Sequence, residues 1–355
     1  MDLTQLRKRI DALDTKIIGL LNDRAAITLS IGQEKIKNKK PIFAPEREQA
    51  VLAHIKGLNV GPIKNEALEA IYREIMSASL NLEKPLRIAY MGPEATFSHL
   101  ASIKKFGSSV THVACDNIND VFKKVECGDC DYGVVPIENS TEGLVTNTMD
   151  VLAESNLKIC SQILLDVTHH LMSKSPLSRV KEIYSHPQVL GQCRQWLMVN
   201  MPKAHLIPVT STTRAAQLVA DKKNAACIAS EGAASLYGLT ILKKNIQDIA
   251  RNITRFLVIS TIDAPPTGHD RTSLIFSIKD KVGALHAMLA PFRKYKINLT
   301  KIESRPCKKK IWDYVFIVDC EGHYKDPRLS RALAELEDMC KFLKILGSYP
   351  SAKIS

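Results

Sequence analysis

The chain has 355 residues, enough for two or three domains, and its 45% apolar and 24% charged content is that of a soluble globular protein. A formal charge of +12 points to an acidic ligand; the basic residues are dispersed, the longest run is Lys308-Lys309-Lys310, and no nucleic-acid-reading motif accompanies them, so a small polyanion fits better than nucleic acid. Nine scattered cysteines, an opening without an apolar signal region and no apolar stretch near the ~18–20 residues of a bilayer span argue for reduced thiols, a cytoplasmic location and no membrane partner.

Residues 1–84 read as helical throughout. Leu3, Leu6, Ile10, Leu13, Ile17 and Leu20 recur every three or four residues, the stripe of an amphipathic helix. A second helix starts after Pro45, with Glu46 and Glu48 well placed in its first turn. The stretch from Gly57 to Pro62 breaks it, and a third runs from about Asn65 to Glu83. A first helix of about 35 residues cannot bury its stripe against two shorter ones, so a homodimer or larger assembly is expected. Arg24 and Lys35, eleven residues apart, lie on one face ~16 Å apart along the axis. Arg7 lies seventeen residues before Arg24, ~25 Å along the same helix, and reaches that ligand only from an antiparallel partner.

Pro85 marks a boundary, after which strand, turn and helix alternate. Leu86–Met91 is a strand turned by Gly92-Pro93, and Thr96 or Ser98 caps a helix through Ala101. Further strands are Tyr132–Ile137, Glu182–Tyr184, Ala225–Ala229 and Arg255–Ile259, in an α/β region reaching about residue 262. Asp263 to Gly268 reads as a linker. Residues 271–350 follow as βαββαβ: strand Thr272–Ile278, helix Gly283–Tyr295, strands Ile297–Glu303 and Trp312–Asp319, helix Pro327–Cys340 and strand Phe342–Gly347, a ferredoxin-like order. Cys127-Gly128-Asp129-Cys130 has no second Cys or His pair at suitable spacing, so neither metal nor cofactor is expected.

Two strings carry most of the chemistry: Val135-Pro136-Ile137-Glu138-Asn139-Ser140 and Asn252-Ile253-Thr254-Arg255-Phe256. Each places polar side chains at the end of an apolar strand-like run, where ligands bind in open α/β sheets. With Gly92-Pro93-Glu94-Ala95-Thr96-Phe97-Ser98, Ser185-His186-Pro187-Gln188, Gln192 and Thr210-Ser211-Thr212-Thr213, they resemble the prephenate dehydratase signature over about residues 86–262, departing at Ala95, where glycine is usual. The resemblance implies two α/β lobes around a cleft, similar to periplasmic binding proteins. It implies Thr254 as proton donor to the leaving hydroxyl, with Glu138, Asn139, Ser185, Gln192, Ser211 and Arg255 holding prephenate. Arg255 either assists Thr254 or is structural, and His186 is either an acid/base group or part of a turn.

The N-terminal basic residues resemble those of the all-helical chorismate mutases across residues 1–84. That resemblance implies that Arg7 of one protomer joins Arg24 and Arg47 of the other on the two carboxylates of chorismate. Lys35 and Glu83 then address its ether oxygen and Glu48 a hydroxyl, with Ser79 in the same site. Ala44 replaces an acidic residue often found before the second helix. Gly283, Ala284 and Leu285, following Asp280-Lys281-Val282, together with Glu303, Ser304, Arg305 and Pro306, resemble the phenylalanine-binding motifs of ACT domains. Exposed amides at a helix start suit an amino-acid carboxylate.

The implied protein is multidomain: an all-α three-helix chorismate mutase domain (1–84), a two-lobed α/β dehydratase domain (86–262) and an α+β ferredoxin-like ACT domain (271–350). It would convert chorismate to prephenate and then to phenylpyruvate under feedback from phenylalanine. Three rivals stand beside it. A mutase–dehydrogenase fusion lacks support because no Gly-x-Gly-x-x-Gly follows a strand. A non-enzymatic ligand sensor needs neither Thr254 nor the basic cluster. A monofunctional dehydratase would use its N-terminal helices only to dimerise.

Overall fold

The structure, a computed structural model, describes residues 2–38, 40–278, 282–306 and 314–352. The chain divides into two compact units, one of residues 1–87 with 106–111 and one of 88–105 with 112–355.

The first unit holds three helices, α1 (Leu3–Lys37), α2 (Pro45–Leu58) and α3 (Asn65–Glu83). Pro45 opens α2 without loss of a hydrogen bond, since the first turn has no intrahelical acceptor for its N–H. Small residues set how closely α1 and α3 approach. Thr28 and Gly32 on α1 and Ser77 and Ser79 on α3 are buried. A Cβ on Gly32 would lie 3.0 Å from Glu83 Cα, so the hydrogen there lets the two backbones meet. The apolar stripe of α1 stays open: Leu3, Ile10, Ile17 and Leu20 are 52–68% exposed in the single chain.

Among the described residues the strands form three sheets. The first runs Thr111–Cys115, Arg87–Met91, Tyr132–Asn139, Ile253–Ser260, Lys158–Asp166, with Gly143–Leu144 beside Tyr132–Asn139. The second runs Thr240–Lys243, His170–Ser173, Ala225–Ala229, Glu182–Ser185, His205–Pro208. The chain therefore leaves the first sheet after Asp166, builds the second, and returns at Ile253 to lie antiparallel between two strands already laid down. That return brings the two chemistry-bearing strings together, with Thr254 opposite Asn139 and Arg255 opposite Glu138. Ala95, the departure from glycine, has φ +63°, in the left-handed region that disfavours Cβ-bearing residues. Its methyl packs in the core around the second sheet, its N–H donates to His99 Nδ1 (3.1 Å) and its carbonyl accepts from Ser230 Oγ (2.9 Å). These contacts hold the strained turn in place.

The third sheet is antiparallel, in the order Leu299–Pro306, Tyr314–Glu321, Asp270–Ser277, Phe342–Pro350, with helices Ala284–Lys294 and Pro327–Met339. The expected strand Trp312–Asp319 begins in 307–313, outside the described residues, and is seen from Tyr314. This sheet packs on the first. A Cβ on Gly347 would lie 2.3 Å from the Ile159 carbonyl oxygen, so only glycine lets those strands touch. Lys344 Nζ donates to the carbonyls of Leu152, Ala153 and Ser155 at 2.5–3.0 Å, capping the helix Thr146–Glu154 at its negative end.

Candidate functional site

In the helical unit, four of the residues named for the chorismate site form two hydrogen-bonded pairs. The Arg24 guanidinium donates to the Ser79 hydroxyl, which in turn donates to the Ile75 carbonyl at 2.8 Å. Lys35 Nζ meets Glu83 Oε2 at 2.7 Å and the Ile42 carbonyl at 2.8 Å. Arg24, Lys35, Ser79 and Glu83 thus share the α1–α3 seam. Arg47 is exposed and Glu48 half-buried in the first turn of α2. Arg7 is exposed near the start of α1, far from these groups along the helix.

In the second unit the polar cluster centres on Thr254, 9% exposed. Asn139 Oδ1 accepts from the backbone N–H groups of Thr141 (2.9 Å) and Glu142 (3.2 Å) and from Thr141 Oγ1 (2.5 Å). Its Nδ2 then donates to Thr254 Oγ1 (2.8 Å) and to Asn252 Oδ1 (2.6 Å). The Thr254 oxygen is therefore an acceptor here, and its own O–H is left to donate elsewhere. A hydroxyl that accepts a hydrogen bond is also the stronger donor. Gln192 completes the cluster: Nε2 donates to Glu142 (3.1 Å) and Thr141 Oγ1 (3.4 Å), while Oε1 accepts from Asn252 Nδ2 (3.3 Å) and faces His169 Nε2 (2.8 Å).

Glu138 and Arg255, expected beside the same ligand, point the other way. Successive residues of a strand face opposite sides of the sheet, so the neighbours of Asn139 and Thr254 are carried to its back. There Arg255 donates to Asp319 Oδ2 (2.7 Å) and Tyr349 Oη (2.7 Å), with Glu138 Oε1 at 3.4 Å. Lys301 closes on the other oxygen of Glu138. Ser273 donates to Asp319 Oδ1 at 2.5 Å. Burial works against the Arg255 charge, but Tyr349 and Asp319 outweigh it and its pKa is raised; burial pushes the Tyr349 phenol up to about 12. Arg255 is thus a buried link to the third sheet, and Asp319→Asn leaves its charge poorly compensated. The expected result is a loss of about 3–5 kcal/mol, measured as the shift in the urea midpoint of the transition that reports on this sheet.

Ser185 is fully buried and gives its hydroxyl to the Ile228 carbonyl (2.7 Å), and Ser211 caps the helix Thr212–Ala220 by accepting from Arg214 N (3.0 Å). Both hold the structure around the second sheet, and neither makes a hydrogen bond to the Thr254 cluster among the described residues. His186 caps a helix in the same way, accepting from Gln188 N at 3.3 Å. In the third sheet Gly283 has φ +76° and stands before the helix that Ala284 opens, with Ala284 buried and Leu285 40% exposed. Glu303 is 3.5 Å from Lys301, and Ser304 is exposed. Arg305 instead reaches the Thr146 carbonyl and Asp150, both at 3.1 Å. Pro306 pairs with Tyr314 in the sheet, while Asp280 and Lys281 lie outside the described residues. Sequence reasoning missed His169 and Thr141, and it named Asn252 in the second string without giving it a role. Only Asn252 carried a local signal, its place two residues before Thr254.

Comparison with known proteins assigns a family to each part. Family models match for chorismate mutase type II at 6–84, prephenate dehydratase at 88–264 and the ACT domain at 272–338. A bifunctional chorismate mutase/prephenate dehydratase of Aquifex aeolicus is 49% identical over 99% of this chain and 98% of its own length. A prephenate dehydratase of Arthrobacter aurescens, solved in complex with L-Phe, is 33% identical with a TM-score of 0.70, over 75% of this chain and 90% of that one. A structure described as GqqA, a novel type of quorum quenching acylases, is 29% identical with a TM-score of 0.69, over 75% of this chain and 98% of that one. The domains are those of a multidomain enzyme joining a mutase, a dehydratase and an ACT domain. The chain belongs to the bifunctional chorismate mutase/prephenate dehydratase family.

Proposed function

We propose that this chain rearranges chorismate to prephenate in its helical unit and converts prephenate to phenylpyruvate at the Thr254 cluster, with phenylalanine as feedback effector. The observation that carries the second step is the direction of the Asn139–Thr254 hydrogen bond. Thr254 gives its proton to the departing ring hydroxyl, which leaves as water. The ring carboxylate leaves as carbon dioxide, and its bonding pair completes the aromatic ring. Asn139 Nδ2 stabilises the charge left on Thr254 Oγ1 until solvent returns the proton. The mutase step is unimolecular: the arginines and Lys35 hold a dianion in its reactive conformer and stabilise charge on the ether oxygen. Neither step calls on a metal or cofactor.

The boundaries 1–84, 86–262 and 271–350 fit this reading, with the central domain as two lobes around a cleft and the last as a ferredoxin-like fold. Among the described residues no helix is long and apolar enough to cross a membrane, and a homodimer accords with the open α1 stripe. The test is purified protein given chorismate alone. Prephenate followed by phenylpyruvate is expected; phenylpyruvate only when prephenate is supplied would leave a monofunctional dehydratase with dimerising helices.

Phenylalanine is expected to bind the ACT domain and lower dehydratase turnover by favouring one arrangement of the second unit over another. Glu303→Ala weakens that response. Arg305→Ala weakens it too, here through its hold on Thr146 and Asp150. Calorimetry with the intact protein decides: no heat of phenylalanine binding would remove the sensing role.

A further inference from the structure

The backbone amides of Thr141 and Glu142 fix more than the rotamer of Asn139. A backbone N–H only donates, so the atom of Asn139 facing them at 2.9 and 3.2 Å is oxygen. Its nitrogen therefore faces Asn252, which must present oxygen (2.6 Å). The Asn252 nitrogen then faces Gln192, which must also present oxygen (3.3 Å). That same oxygen lies 2.8 Å from His169 Nε2, and an amide oxygen carries no hydrogen, so Nε2 must. The polarity of the network thus runs from two backbone amides to one histidine tautomer.

His169 is 1% exposed, with its ring edge-to-face on Phe97 at 5.7 Å between centroids. Its backbone N–H is tied to Gln247 Oε1 at 3.0 Å. Its Nδ1 is buried without a hydrogen-bond partner among the described residues, as an unprotonated nitrogen can be. Burial lowers its pKa, which keeps the ring neutral. The ring commits its single proton to the side chain that closes the Thr254 cluster.

We infer that His169 is a positioning residue for the dehydratase reaction: its Nε2–H holds the Gln192 amide so that Gln192 Nε2 faces Thr141 and Glu142 and the site keeps one hydrogen-bond polarity. Without that donor, Gln192 Oε1 keeps only the longer bond from Asn252, and the amide turns. The inference rests on the dehydratase reading above.

Two measurements on the full-length protein test it. Nitrogen-15 spectra of labelled histidine should show His169 neutral and protonated on Nε2 at neutral pH. An Nε2 without a proton, as in the Nδ1–H tautomer, overturns the inference without any variant. Among variants, H169Q keeps a donor at the Nε2 position, while H169N moves it to the Nδ1 position. With prephenate as substrate, H169N is expected to lose about ten-fold in kcat with KM little changed, and H169Q to recover most of it. Equal kcat in H169N and H169Q, or wild-type turnover in H169N, refutes the positioning role. Should H169N not fold, a ten-fold loss in folded H169Q refutes it equally. Wild-type protein that makes no phenylpyruvate would strike the dehydratase reading instead, and the tautomer would still be readable.

Discussion

Thr254→Ala removes dehydratase turnover by about 10²–10⁴-fold, the range for loss of a positioned proton donor, while mutase turnover stays near normal. The expectation is sharper than the presence of a threonine would allow. Asn139 Nδ2 donates to Thr254 Oγ1, so the hydroxyl hydrogen is free for the substrate. Thr254→Ser keeps that hydroxyl and should retain more activity than Thr254→Ala; Thr254→Val keeps the shape and should behave like alanine. Thr254 and the Arg24–Lys35 seam belong to different compact units, so one substitution should not reach both reactions. Single-turnover assays on prephenate and on chorismate measure the two effects separately. Loss of both activities in a folded variant contradicts two independent sites. Retained dehydratase activity in Thr254→Ala contradicts the proton-donor role.

Much of this was legible because the chemistry sits in short strings. The pairing of Thr254 with Asn139 follows from two apolar runs that each end in polar residues, and the return strand brings those ends together. Parity along the strand moves Glu138 and decides between the two roles open to Arg255. Glu138 next to Asn139, and Arg255 next to Thr254, cannot face one ligand when side chains alternate, and they are the residues found gripping Asp319, Tyr349 and Lys301 instead. Their true partners lie 64, 94 and 163 residues away, a separation no local pattern encodes. The resemblance implies Ser185 and Ser211 as substrate contacts, but hydroxyls near a strand end look alike in sequence, and here the Ile228 carbonyl and the Arg214 N–H take them up. His169 gave no signal at all, since its role depends on which nitrogen faces Gln192. In the helical unit, periodicity puts Arg24 and Lys35 on one face of α1, while Ser79 and Glu83, which meet them along one seam, come only from the resemblance.

Arg7→Ala should lower mutase turnover by at least the 10²–10³-fold expected for a lost charge-stabilising donor, and Arg24→Ala should do the same. Mixed with each other, the two inactive proteins should regain activity. The geometry of α1 motivates this. It is one continuous helix from Leu3 to Lys37, so Arg7 stays ~25 Å from Arg24 along the axis. No side chain spans that distance, so both can touch one small dianion only if Arg7 comes from a second copy. The exposed stripe supplies a reason for that copy to be there: Leu3, Leu6, Ile10, Leu13 and Ile17 are 43–61% exposed in the single chain. Apolar area of that kind contributes about 25 cal/mol per Å² when buried. In a heterodimer of the two variants, one site carries both substitutions and the other carries neither. Co-refolded and separated heterodimers should therefore show about half the wild-type mutase rate per dimer, because one site in two is intact. Differently tagged chains purified in sequence provide that sample. Verified heterodimers no more active than the parent variants would mean that Arg7 does not act across a subunit boundary.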